Sequence, residues 1–283
     1  MSIKKDGSKA PGAVVVPAYM PQMTSLDRLE AALDTLPPMD CRVIVVAQAE
    51  PDILLTFRSL AESRGIQTLE FSQRLGKWPA FAAGLKLLSG EEDWIVVFDG
   101  DGAFSGAEIP SLAVPIMEGV ADHVIGRRDL IRLSATDQAT SDSRSYVEAY
   151  FNTVALVLLG IADTAAFHAF DIQSGLHAFS AARCKNISLD KLPFYGGELS
   201  LFMETMCSGG RVVSVPVTAR ENPLSGYLLV EIIDHLLALH WLAAASDDVF
   251  EEALDIAPCL YNSWIRDSET FRKEIRMTVL ERR

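Results

Sequence analysis

Residues 94–102 read Trp-Ile-Val-Val-Phe-Asp-Gly-Asp-Gly, and no other stretch restricts the fold as much. A short, unbroken apolar run rich in β-branched side chains is the pattern of a strand buried on both faces. Such strands belong to sheets covered by helices on both sides. The run stops abruptly and hands Asp99 and Asp101 to the loop at its carboxyl end, where Gly100 and Gly102 let the backbone turn tightly. Ligands of open α/β sheets collect at that end of the strands. Two carboxylates there suit a hard divalent cation that keeps coordination positions for phosphate oxygens. Solvated loop acids after a strand are the plainer alternative, and the flanking sequence has to decide between them.

That flanking sequence alternates strands with helices. Ala13–Val16 reads as a strand ended by Pro17, and Thr24–Leu36 as a helix opened by a Thr24/Asp27 capping box and stopped by Pro37-Pro38. Strand Arg42–Ala47 follows, then a helix from Pro51 to Gly65, a weak strand Gln67–Phe71, and a helix Trp78–Leu88 closed by Gly90. This order implies an α/β, mainly parallel sheet flanked by helices and joined by right-handed crossovers. Further strands are expected over 122–126, 172–180 and 211–217, the last an edge strand because it contains Pro216. Helices are expected over 146–160 and 197–208. The chain thus divides into a polar tail (1–12), a catalytic domain (13–226) and a C-terminal helical extension (227–283). Leu228–Ala245 is a long apolar helix, but the Glu231, Asp234 and His235 stripe makes it too polar to span a bilayer. It is expected to pack on the domain or in a homodimer interface, with a membrane surface as the alternative.

A net charge of −13 argues against nucleic acid and against electrostatic docking on anionic lipid. The four cysteines have no metal-type or redox spacing, as expected of idle thiols in a reducing compartment. The first ten residues are polar and lack an apolar core. A cytoplasmic location is expected, with peripheral membrane attachment as the variant.

Several motifs now stand in order: Val14-Val-Val-Pro17-Ala-Tyr19, Arg74-Leu-Gly-Lys77 leading to Ala83-Gly84, and Phe98-Asp-Gly-Asp101. Downstream come Asp122-His-Val-Ile-Gly-Arg127, Arg144 with Asn152, Asp171-Ile-Gln-Ser-Gly175-Leu-His177-Ala-Phe179, and Glu198 followed by Arg211–Pro216. Together they resemble the family 2 glycosyltransferases of the GT-A (Rossmann-like) fold, in particular the branch containing dolichol-phosphate mannose synthase and polyprenyl-phosphate glycosyltransferases. The resemblance implies a metal-dependent hexosyltransferase, acting with inversion, that takes a UDP- or GDP-linked sugar. Pro17, Tyr19, Gln48, Arg74, Lys77, Asp99, Gly100 and Asp101 would bind the donor, with Asp99 and Asp101 holding Mg²⁺ or Mn²⁺. Arg127, Arg128, Ser174, Gly175 and His177 would face the acceptor or its phosphate. Asp101, Glu198 and Arg127 would be catalytic, Glu198 as acceptor base or, with a phosphate acceptor, as organiser of its loop. For His177 a core histidine is the competing reading. The implied acceptor is a polyprenyl phosphate at a membrane surface; a soluble sugar or alcohol, or a non-catalytic nucleotide-sugar-binding domain, is the alternative.

Three departures stand against the family pattern. Ala47-Gln48-Ala49-Glu50 replaces the usual acidic pair after the second strand, Met20-Pro21 replaces Asn-Glu, and Ala103 stands where the mannose synthases carry glutamine. No glycine-rich nucleotidyltransferase loop follows the first strand. The Asp-X-Asp is mid-chain with Gly102-Ala103 behind it, unlike haloacid-dehalogenase phosphatases.

Overall fold

A computed structural model of the chain describes residues 11–128, 141–161, 169–186 and 196–220. The expected tail, apart from its last two residues, and the whole extension beyond 226 lie outside these. The strands are β1 (Gly12–Met20), β2 (Cys41–Ala49), β3 (Gln67–Phe71), β4 (Trp94–Phe98), β5 (His123–Arg127), β6 (Leu176–Ser180) and β7 (Val212–Pro216). They form one sheet in the order β3-β2-β1-β4-β6-β5-β7. Only β6 runs antiparallel to its neighbours among these strands. The carboxyl ends of the parallel strands therefore share one edge with the amino end of β6. The sheet is mainly parallel, and β7 closes one edge, as its proline requires.

Helices α1 (Met23–Leu33), α2 (Pro51–Ser63) and α4 (Ile109–Met117) cover one face; α3 (Lys77–Leu85) and α7 (Gly197–Cys207) cover the other. The two-residue period of the strands divides the core between them. Val14, Val16, Val96 and Phe98 pack among Leu29, Phe57 and Leu112, whereas Val15, Ile95 and Val97 pack among Trp78, Phe81 and Leu201. Every side chain of β4 is buried. Each contributes about 1.5–3 kcal/mol relative to exposure, so the strand is pinned up to Phe98 and Asp99 begins where the pinning ends. Two further helices, α5 (Ser141–Leu158) and α6 (Ala181–Asn186), follow β5 and β6.

Local chemistry accounts for the departures from the sequence reading. Pro17 does not end β1, which continues to Met20. Pairing of β1 with β4 stops at Val15, while pairing with β2 runs on to Met20. The Pro17 carbonyl accepts from Gly100 N–H, on the β4 side. The missing proline donor thus faces the side where the ladder has already ended. Helix α1 starts at Met23 with Gln22 as its cap and no side-chain capping bond, so the Thr24 capping box does not form. Helix α4 has no counterpart in the sequence reading, and Pro110 and Pro115 lie within it. Its buried residues Ile109, Leu112, Ala113 and Ile116 nevertheless repeat at i, i+3, i+4 and i+7, and Pro110 sits in its first turn. Residues 172–175 do not join the sheet: β6 begins only at Leu176, and the segment before it forms a turn.

Candidate active site

The shared strand edge carries the residues that the sequence singles out. Tyr19, near the end of β1, is exposed, and the Arg74 guanidinium lies 4.7 Å from its ring centroid. Gln48, buried at the end of β2, accepts hydrogen bonds from Leu75 N–H (2.6 Å) and Gly76 N–H (3.1 Å). A neutral side-chain oxygen thus satisfies two loop donors and fixes the 74–76 turn from which Lys77 opens α3. The residue that replaces the usual acidic pair is holding the 74–76 loop.

Lys77 reaches across the edge. Its Nζ is 3.0 Å from Asp99 Oδ1 and 2.8 Å from Glu198 Oε1. Trp78 Nε1–H donates to the other oxygen of Glu198 at 2.7 Å. Burial alone would lower the Lys77 ammonium, yet Asp99 and Glu198 outweigh it and hold its pKa above the usual lysine range. Burial pushes the Asp99 carboxyl up to about 6, against the pull of Lys77 and helped by the nearby charges of Asp101 and Glu198. Glu198 is lowered, because Lys77 and the Trp78 indole outweigh its burial. Two glycines make this closeness sterically possible. A Cβ on Gly175 would lie 2.1 Å from Asp99 Oδ2, and one on Gly197 would lie 2.2 Å from the Trp78 ring.

Asp101 is exposed, and its Oδ1 accepts from Ala103 N–H at 2.9 Å. Asp99 N–H donates to the Gly175 carbonyl at 3.2 Å, tying the strand end to the 171–175 turn. Among the described residues no group of three or more His, Cys, Asp or Glu forms a metal cage. Two hard carboxylates, one in a glycine cradle and one open to solvent, do fit a Mg²⁺ or Mn²⁺ ion that shares its shell with ligand oxygens.

On the acceptor side the expectations divide. Arg127 ends β5 at the same edge, half-buried, with its carbonyl accepting from Val217 N–H. Arg128 is not placed to clamp a phosphate. Its guanidinium donates to Asp171 through Nε (2.6 Å) and Nη2 (2.9 Å), to Glu148 (2.8 Å) and to the Gln173 carbonyl. Burial works against its charge, but Asp171 and Glu148 keep it firmly protonated. His177 is likewise a core residue and not an acceptor contact. It is buried, with Nδ1 2.9 Å from His123 Nε2 and Nε2 2.7 Å from the Ser174 carbonyl. A carbonyl only accepts, so His177 carries its proton on Nε2, and its Nδ1 accepts a hydrogen bond from His123 Nε2–H. Burial holds His177 down to about 3. Ser174 is buried too, its hydroxyl accepting from Leu176 N–H, while Gly175 lies against Asp99. Sequence reasoning missed Trp78 and Glu148 as partners. The indole directly after Lys77 was a usable signal; Glu148 inside an apolar helix offered none.

The family model for glycosyl transferase family 2 matches residues 13–171. The fold is similar to that of glucosyl-3-phosphoglycerate synthase from Mycobacterium tuberculosis. Its crystal structure with UDP superposes with a TM-score of 0.60 at 18% identity, covering 84% of this chain and 82% of that one. The complex with Mn²⁺, UDP and glucosyl-3-phosphoglycerate has the same TM-score, 0.60, at 20% identity over 84% and 81% of the two chains. The complex with Mg²⁺ and UDP gives 0.59 at 19% identity over 84% and 81%. No curated protein matches this chain.

Proposed function

Because the chain belongs to glycosyltransferase family 2 and is a glycosyltransferase of the GT-A fold, we propose that it moves a hexose from a UDP-linked donor, with Mn²⁺ or Mg²⁺, to a small phosphate-bearing acceptor. The observation that carries the reading is the strand-edge cluster of Asp99, Asp101 and Lys77, with Arg74 over Tyr19 beside it. Tyr19 offers a flat surface to the base, whereas Pro17, expected beside it, is buried within β1; Gln48 sets the loop that delivers Arg74 and Lys77. Asp99 and Asp101 would hold the metal ion, which when bound supplies Lewis-acid stabilisation of the departing diphosphate. Lys77 and Arg74 stand where negative charge develops as the sugar–phosphate bond breaks. The anomeric carbon meanwhile becomes oxocarbenium-like. Glu198, already bonded to an ammonium and an indole N–H, is a weak base, and its part is to hold Lys77. UDP as donor is supported by the complexes of the similar synthase.

For the acceptor, Arg127 at the strand edge suits a phosphate. The expected polyprenyl phosphate draws no support from the fold neighbours, one of which is bound to phosphoglyceric acid. Among the described residues no helix is long and apolar enough to cross a membrane. A soluble phosphorylated acceptor is therefore the preferred reading. The test supplies labelled UDP-glucose and Mn²⁺ with either 3-phosphoglycerate or a short polyprenyl phosphate. Transfer to the soluble phosphate is the expected result, and transfer to the lipid phosphate alone would reverse the choice. The anomeric configuration of the product, read by NMR, checks the expected inversion.

A further inference from the structure

Asp99 has a neighbour at each oxygen, although its side chain keeps 26% exposure. Oδ1 lies 3.0 Å from Lys77 Nζ, and Oδ2 faces Gly175 so closely that a Cβ there would stand 2.1 Å away. Asp101, by contrast, is exposed, with Oδ1 accepting from Ala103 N–H. A divalent ion shared by these two aspartates competes with the ammonium at Asp99 Oδ1, since two cations on one oxygen repel in a half-buried site. Lys77 has somewhere else to go. It sits on a flexible four-carbon stem, and its second partner, Glu198, is held in place by Trp78 Nε1–H at 2.7 Å.

We infer that Lys77 is a displaceable internal counter-ion, resting on Asp99 Oδ1 in the ligand-free protein and giving up that oxygen to the metal ion as it turns toward the donor diphosphate. Glu198 and Trp78 are positioning residues in this scheme. They keep the ammonium within reach of both stations, so that Lys77 neutralises Asp99 before the ion arrives and the diphosphate afterwards. The inference rests on the proposed metal site at Asp99 and Asp101. It adds that the apparent metal affinity of the ligand-free protein is set by competition with a side chain of the same site.

Two measurements on the full chain test this, neither of them reading turnover. Free Mn²⁺ is titrated by its paramagnetic resonance signal, without nucleotide, in wild type, Lys77→Met, Lys77→Arg and Asp101→Asn. Competition predicts that Lys77→Met binds Mn²⁺ at least about tenfold more tightly than wild type, that Lys77→Arg does not, and that Asp101→Asn removes the site. If Asp101→Asn leaves binding unchanged, the metal-site reading itself fails. If binding depends on Asp101 but Lys77→Met leaves it equal or weaker, only the counter-ion fails. The second measurement needs no variant: acetylation of Lys77 in the wild-type protein, followed by mass spectrometry. Lys77 should be most protected in the ligand-free protein, acetylated faster with saturating Mn²⁺ alone, when only Glu198 still holds it, and protected again with Mn²⁺ and UDP together. Unchanged protection with saturating Mn²⁺ alone would overturn the inference.

Discussion

Two buried cation–carboxylate clusters stand at the same edge of the sheet and differ in almost every respect that matters. In one, Lys77 joins Asp99 and Glu198; in the other, Arg128 joins Asp171 and Glu148. The Lys77 cluster is the more open, with the Asp99 side chain 26% exposed against 2% for Asp171. A lysine ammonium is a single point charge on a flexible stem, so each of its bonds can be exchanged. The arginine fork binds Asp171 with two nitrogens in a fixed plane and adds Glu148 and a backbone carbonyl. It is built to stay. The arginine cluster ties β5, α5 and the 171–175 turn together and so places Gly175 against Asp99. In the proposed function the lysine cluster sits where ligands meet the edge, so one cluster would serve as a brace and the other as a working site.

The largest effect should come from breaking the brace. Arg128→Ala leaves two buried carboxylates without their cation and should cost about 3–5 kcal/mol in chemical denaturation. A loss under about 1 kcal/mol would mean the cluster braces nothing. Next is Asp101→Asn beside the lysine cluster. It should lower turnover by about 10²–10³-fold, roughly 3–4 kcal/mol, with the denaturation midpoint nearly unchanged. Full metal-dependent activity in that variant would place the working site elsewhere. Arg127 sharpens the contrast with the arginine next to it in sequence. Arg127→Ala should weaken a charged contact to the substrate by about 1.5–3 kcal/mol in kcat/KM, and its effect on stability should be far smaller than that of Arg128→Ala. Glu198→Gln should be the mildest, about tenfold in turnover, because it loosens the hold on Lys77 without removing a base. A drop of about 10²–10⁴-fold would restore Glu198 as the proton acceptor.

What was legible in the sequence follows the same division. Strands β1, β2 and β4 could be read because full burial on both faces demands unbroken apolar runs. The Asp99–Asp101 pair could be read because the run ends on it. Helix α4 went unassigned, though its apolar spacing at 109–116 was intact around its two prolines. Contacts between residues distant in sequence could not be read at all. Nothing near Arg128 announces Glu148 or Asp171, and the pairing of His177 with His123 depends on β5 lying beside β6. Consequently Arg128 and His177, both polar residues in suggestive motifs, looked like ligand contacts, whereas burial commits them to the interior. Gln48 went the other way: it read as the loss of a base-reading acid, and the structure gives it the 75–76 loop to hold.

The most direct test of the division is a crystal structure of the full chain with Mn²⁺ and UDP, with data collected at the manganese absorption edge. An anomalous peak is expected between Asp99 and Asp101, with Lys77 Nζ moved off Asp99 Oδ1 and Arg128 still on Asp171 and Glu148. UDP bound with no manganese at Asp99 and Lys77 still in place, or manganese bound with the Arg128 cluster taken apart, would contradict it.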